Sequence, residues 1–170
     1  MDRTHLRCNP AYRPVMASEY LAMNLGDART ELVAGMIWAR VDESPRHAAI
    51  AANLIAALMP RLRGTGCRPY GSDLAVQTGE ASIRFPDVSV YCRDPSTPIN
   101  PNTKLLGTPR VIFEVLSPST ASNDQITKLA EYRAMPGVEE IVFIDPRHRA
   151  FPHHEASAAR HFRRRLAVDR

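Results

Sequence analysis

The run Val111-Ile112-Phe113-Glu114-Val115-Leu116 sets one glutamate among five apolar residues, and it constrains the fold more than any other stretch of the chain. A strand has period two, so apolar neighbours at both odd and even positions leave no face for water. The run therefore reads as a central strand covered on both sides. A carboxylate buried there is costly unless it is paired or holds a metal. Upstream, Asp87 follows Pro86 and opens the alternating strand pattern Val88-Ser89-Val90-Tyr91. Downstream, Lys128 lies in the helical segment NDQITKLAEYR. Taken singly, each carboxylate can be read as a turn cap or an arginine partner. In this order, two carboxylates at the ends of apolar strands followed by a helical lysine suit a divalent cation and a water beside a phosphodiester. A metal-dependent nuclease is the leading reading.

Composition narrows the class. A length of 170 residues with 44% apolar content is enough for one domain with a real core, and one α/β domain is expected. No run approaches the roughly 20 uncharged apolar residues of a membrane helix, and the N-terminus lacks a signal-peptide pattern, so a soluble, cytoplasmic protein is expected. Cys8, Cys67 and Cys92 are odd in number and widely spaced, and read as free thiols. The net charge of +4 is unevenly placed. Residues 146–170 carry seven arginines against Glu155 and Asp169, a balance of +5, which leaves −1 for the first 145 residues. Contact with many phosphates must then be local, with the tail as one contributor and a solvated end as the plainer reading. Lysine occurs only at 104 and 128 among 22 basic residues, a hint that position 128 needs a compact point charge.

The elements follow from local signals. A short helix is expected near Ala17 to Met23, and Thr30 to Val41 alternates as a strand interrupted by Gly35. Ser44-Pro45 is a helix start, with serine as N-cap and proline at the first position, leading into the stripe His47, Ile50, Leu54, Ile55 and Leu58. Arg68 to Gln77 and Ser82 to Cys92 read as two strands of a hairpin turning at Thr78-Gly79-Glu80, which sets Asp73 and Asp87 on neighbouring strands. Asp73 there either supports the site from behind its ligands or ends the local ladder. A proline-rich loop from Asp94 to Thr108, the central strand, the helix of Lys128 and a last strand from Val138 to Ile144 complete a mixed central sheet flanked by helices. Asp124 and Lys128 stand i, i+4 on one helix face and can form a pair, either at the site or as a surface salt bridge.

The strings ELVAGMI from Glu31, SPRHAAIAANLIAAL from Ser44, GSDLAVQ, FPDVSV and VIFEVLSPST, followed by Asp124, Lys128 and YRAMPGVEEIVFID, resemble the Uma-two family of restriction-endonuclease-like proteins. That family is similar to the PD-(D/E)XK nuclease superfamily. The resemblance covers residues 16–145 as the nuclease domain, between an irregular leader at 1–15 and a basic, divergent or disordered tail at 146–170. It implies a restriction-endonuclease-like α/β fold, a DNA substrate, and Asp87 and Glu114 as metal-binding carboxylates. It also makes the backbone carbonyl of Val115 a further ligand, and Glu31 an acidic residue that completes the site or orients a water. Such hard oxygen ligands point to Mg²⁺ or Mn²⁺. Leu116 stands where the superfamily places lysine, and Lys128 is the natural substitute. His47 falls where family members commonly carry a histidine, which implies a place near the site; covering a sheet edge is the plainer reading. Beyond residue 145 the tail lacks the strand expected of the family, and an uncovered apolar edge would invite a homodimer.

Two other readings remain open. One is a degenerate nuclease fold kept as a DNA- or partner-binding module, which the near-neutral body favours. The other is a metal-assisted hydrolase of a different phosphate ester.

Overall fold

The computed structural model of the chain describes residues 13–26, 28–40, 43–93, 96–117 and 122–146, with side chains of the last stretch from residue 125 onward. The expected leader and tail fall almost wholly outside the described residues, as does Cys8. Helix α1 spans Ala17–Ala22, and strands β1 (Thr30–Val33) and β2 (Met36–Ala39) follow. Helix α2 (Pro45–Arg61) leads to β3 (Cys67–Gly71), β4 (Val76–Gly79), β5 (Ser82–Arg84) and β6 (Val88–Cys92). Strand β7 (Val111–Val115), helix α3 (Ser122–Ala134) and strand β8 (Glu140–Ile144) complete the order.

The expected α/β fold is present, with its strands divided between two sheets of four, ordered β2-β1-β5-β4 and β3-β6-β7-β8. The division has local causes. Thr30 to Val41 is not one strand, because Ala34 and Gly35 take φ of 48° and 81° and turn the chain into the β1–β2 hairpin. Two consecutive positive φ values are the requirement of a tight hairpin turn. A Cβ on Gly35 would lie 2.2 Å from the Cβ of Pro14, so only glycine fits there. The two long strands expected between Arg68 and Cys92 also break. One breaks at the turn after Gly71; the other breaks at Phe85-Pro86-Asp87, where proline has no N–H to give a ladder. The inner arms β4 and β5 pair in the first sheet, while the outer arms β3 and β6 pair in the second. Asp87 thus sits at the joint where the chain crosses between sheets.

Strand β7 lies between antiparallel β6 and parallel β8, and α3 is the crossover that a parallel pair requires. Its expected two-sided cover is observed. Val111 and Phe113 join Val88 and Val90 against Leu58 and Leu62 at the α2 end. On the other face Ile112 packs with Tyr132 of α3, with Met135 just past the end of that helix, and with Val76. Ser44 caps α2 as expected, accepting the His47 N–H at 3.3 Å. Among the described residues no helix is long and apolar enough to cross a membrane.

The expectation of free thiols fails for two of the cysteines. Cys67 and Cys92 face each other in the β3–β6 register and form a disulfide. The spacing rules missed it because the pairing depends on strand register. Closing a loop across a separation of 25 residues restricts the unfolded chain by about 3.5 kcal/mol on the chain-entropy scale. Reduction, or the Cys67→Ser/Cys92→Ser double variant, is therefore expected to lower the urea unfolding free energy by about 2–4 kcal/mol. Melts with and without reductant check this, and superimposable curves would contradict it.

Candidate active site

The joint between the sheets gathers the acidic residues. The β6–β7 register pairs Val88 with Phe113, and carried one residue further it sets Asp87 opposite Glu114. Directly opposed residues of an antiparallel pair share a face. Asp87 is 4% exposed, and its Oδ2 accepts the Val115 N–H at 2.6 Å. The neighbouring carbonyl of Val115 lies 2.8 Å from His47 Nε2, which is also 3.2 Å from Asp87 Oδ2. On the other side of the ring, Nδ1 is 2.6 Å from Glu43 Oε2.

Glu114, 6% exposed, is held from α3. Tyr132 donates its hydroxyl to Glu114 Oε1 at 2.6 Å, and Lys128 Nζ lies 3.4 Å from the same oxygen. The two partners are one helical turn apart, so a single face of α3 serves one carboxylate. The lysine that Leu116 does not supply is thus brought to Glu114 from α3. Leu116 itself continues the ladder, donating its N–H to Ile144 at 2.8 Å.

Burial dominates the electrostatics. It pushes the Asp87 carboxyl up to about 8, helped by the charges of Glu114 and Glu43 and opposed by the Val115 N–H and by Lys128. Burial likewise raises Glu114, against Lys128 and the Tyr132 hydroxyl. The Tyr132 phenol is driven well above its ordinary range by burial and by the Glu114 charge. Two carboxyls that resist ionisation, together with a backbone carbonyl, form an oxygen-rich donor set suited to a hard divalent cation.

Glu31 reaches this group from β1 of the other sheet, and its charge contributes to raising Glu114. Its carboxylate is engaged by Arg84 Nη1 at 3.0 Å and by the Phe85 N–H at 3.3 Å. Arg84 in turn grips Glu131 of α3 through Nε and Nη2, both at 2.8 Å, and Thr78 adds a third bond to that carboxylate. Burial works against the Arg84 charge, but Glu131 and Glu31 outweigh it and hold the guanidinium above its ordinary value. Burial also works to raise Glu131, and the bonds from Arg84 and Thr78 overcome it to leave the carboxyl lowered. Asp73 lies exposed in the turn between β3 and β4 rather than on a strand beside Asp87. The Asp124 side chain falls outside the described ones.

Glu43, Arg84, Glu131 and Tyr132 were not anticipated. Spacing offered a signal for two of them, since Glu43 precedes His47 by four residues and Tyr132 follows Lys128 by four. Arg84 and Glu131 meet across 47 residues, and no local pattern announces that.

Two consequences are measurable. A carboxyl whose folded pKa is raised keeps its proton more tightly folded than unfolded. Asp87 should therefore erode stability as pH climbs from its ordinary 3.8 through about 8, by at most about 1.4 kcal/mol per pH unit. Urea melts from about pH 5 to pH 8 are expected to show this decline, and Asp87→Asn to flatten it; an equal slope in both proteins would contradict the assignment. Arg84→Leu strands the buried Glu31 carboxylate and the half-buried Glu131 carboxylate and is expected to cost about 3–5 kcal/mol, whereas a loss under about 1 kcal/mol would show the network to be slack.

Residues 17–165 match the Uma2 family, described as "Putative restriction endonuclease". An uncharacterized protein of Synechocystis sp. is 32% identical over 111 residues, 65% of this chain and 57% of its own length. A second from the same organism is 29% identical over 131 residues, 76% of this chain and 73% of its own. The chain thus spans little more than half the length of the first. A crystal structure from Anabaena variabilis, described as a "putative nuclease belonging to DUF820", superposes with a TM-score of 0.63 at 22% identity. That likeness covers 79% of this chain and 75% of the other, and at this identity it speaks for the fold.

Proposed function

The chain belongs to the Uma2 family of restriction-endonuclease-like proteins, and from that premise we propose that it is a cytoplasmic, metal-dependent endonuclease hydrolysing phosphodiester bonds in DNA. One observation carries the reading. Asp87 and Glu114 are buried together at the sheet joint, each resists ionisation, and Lys128 stands against the second. Such a pair is costly in a structural role alone, while a cation repays both desolvations.

In this reading Asp87, Glu114 and the Val115 carbonyl would hold the ion. A bound Mg²⁺ or Mn²⁺ supplies positive charge to the scissile phosphate and lowers the pKa of a water. Asp87 releases its proton to solvent before it can serve as a ligand, so occupancy increases with pH. Lys128 lies beside Glu114 with 13% of its side chain exposed, which lets the ammonium meet a non-bridging phosphate oxygen and stabilise the charge that develops there. Glu31, clamped by Arg84, orients the attacking water or sets the field at Glu114. Asp73 and Asp124 receive no step. The arginines of residues 146–170 supply phosphate contacts that the first 145 residues, at a net −1, do not. That same near-neutral body favours the second reading, a nuclease fold that binds DNA or a partner without cutting.

Purified protein incubated with supercoiled and single-stranded DNA in Mg²⁺, Mn²⁺ or EDTA separates the two. Cleavage is expected only with metal, falling about 10²–10³-fold or more in Asp87→Ala and Lys128→Ala. Folded protein that binds DNA without cutting it under any metal would establish the binding module instead.

A further inference from the structure

We infer that the cation at this site is held through the imidazole of His47 as well as through oxygen, with Glu43 orienting the ring. This rests on the metal-dependent reading above. It adds to that reading a nitrogen ligand, and with it a preference among cations.

The inference comes from the donor atoms gathered around one buried ring. His47 is 3% exposed, and both of its nitrogens face oxygen: Nε2 faces Val115 O at 2.8 Å and Asp87 Oδ2 at 3.2 Å, while Nδ1 faces Glu43 Oε2 at 2.6 Å. A neutral imidazole carries one proton and donates from one nitrogen. Whichever nitrogen carries it, the other turns a buried lone pair into this shell of oxygens, a position a cation can take.

The spacing of these donors suits a divalent cation at Nε2. The Nε2 lone pair, Asp87 Oδ2 and the Val115 carbonyl would then face the ion, with the ring proton at Nδ1, where Glu43 accepts it. Ligating histidines are commonly oriented in this way, with the second N–H given to a carboxylate. Glu43, His47 and Asp87 each offer one donor atom within 4.8 Å of the others. Two bonds of about 2.1 Å to one ion set their donors roughly 3.0–3.4 Å apart, close to the spacings already present around Nε2. Glu43 also offsets the positive end of α2, which on its own would oppose a cation. An imidazole ligand favours first-row transition ions over Mg²⁺.

The test uses the full chain and Mn²⁺ alone, with bound ion counted by electron paramagnetic resonance and ¹⁴N coupling read by its pulsed form. Nitrogen coupling is expected in the wild type and absent in His47→Gln, while Glu43→Gln weakens Mn²⁺ binding about 10–100-fold. Should His47→Gln fail to fold, Asp87→Asn takes its place and is expected to lose the coupling. Bound Mn²⁺ without nitrogen coupling, or coupling that survives both substitutions, overturns the inference and leaves an oxygen-only metal site. Unchanged affinity in Glu43→Gln overturns the orienting role. No bound Mn²⁺ in folded protein overturns the inference and the metal-dependent reading together.

Discussion

The rest of the site depends on one constraint, the burial of two carboxylates at the point where the chain passes from one sheet to the other. Glu114 belongs to a strand covered by α2 on one face and by α3 on the other, so no water is available to solvate it. Its partners must come from protein, and Lys128 and Tyr132 supply them from one face of α3. Asp87 meets the same demand with the Val115 N–H and the His47 ring. Helix placement, strand order and the break at Pro86 are all bound up with satisfying these two groups.

A second polar system lies beside the first and links the sheets. Arg84 on β5 joins Glu31 on β1 to Glu131 on α3, so the first sheet is tied to the helix that packs on the second. Fully paired buried networks of this kind contribute more to fixing one arrangement than to net stability. Here the arrangement fixed is the position of α3, and with it the ammonium of Lys128. Arg84 therefore acts on the site without entering it. Glu31 is shared between the two systems, bonded in one and felt electrostatically in the other.

Much of this was legible along the chain. The covered strand around Glu114, the capped start of α2 and the helix of Lys128 follow from patterns a few residues long, and the structure keeps them. The family strings brought Asp87, Glu114, Lys128, His47 and Glu31 into one neighbourhood. What was misread shares a single cause. Thr30 to Val41 and the arms from Arg68 to Cys92 look like long strands because alternation continues across their turns, and alternation carries no information about which strand becomes a neighbour. The Cys67–Cys92 bond and the Arg84 network depend on those neighbours and were invisible for the same reason.

The sequence by itself determined which residues must be buried and which charges would then need partners, because periodicity and desolvation act over short stretches. It also determined the cap that starts α2, where backbone conformation is local. Only the tertiary structure decided which partner each charge received. Lysine reached Glu114 from a helix rather than from its own strand, His47 turned both nitrogens toward oxygens from different elements, and Asp73 was left at the surface. Those choices depend on register between strands and on the docking of α2 and α3, contacts between residues tens of positions apart that no local rule encodes.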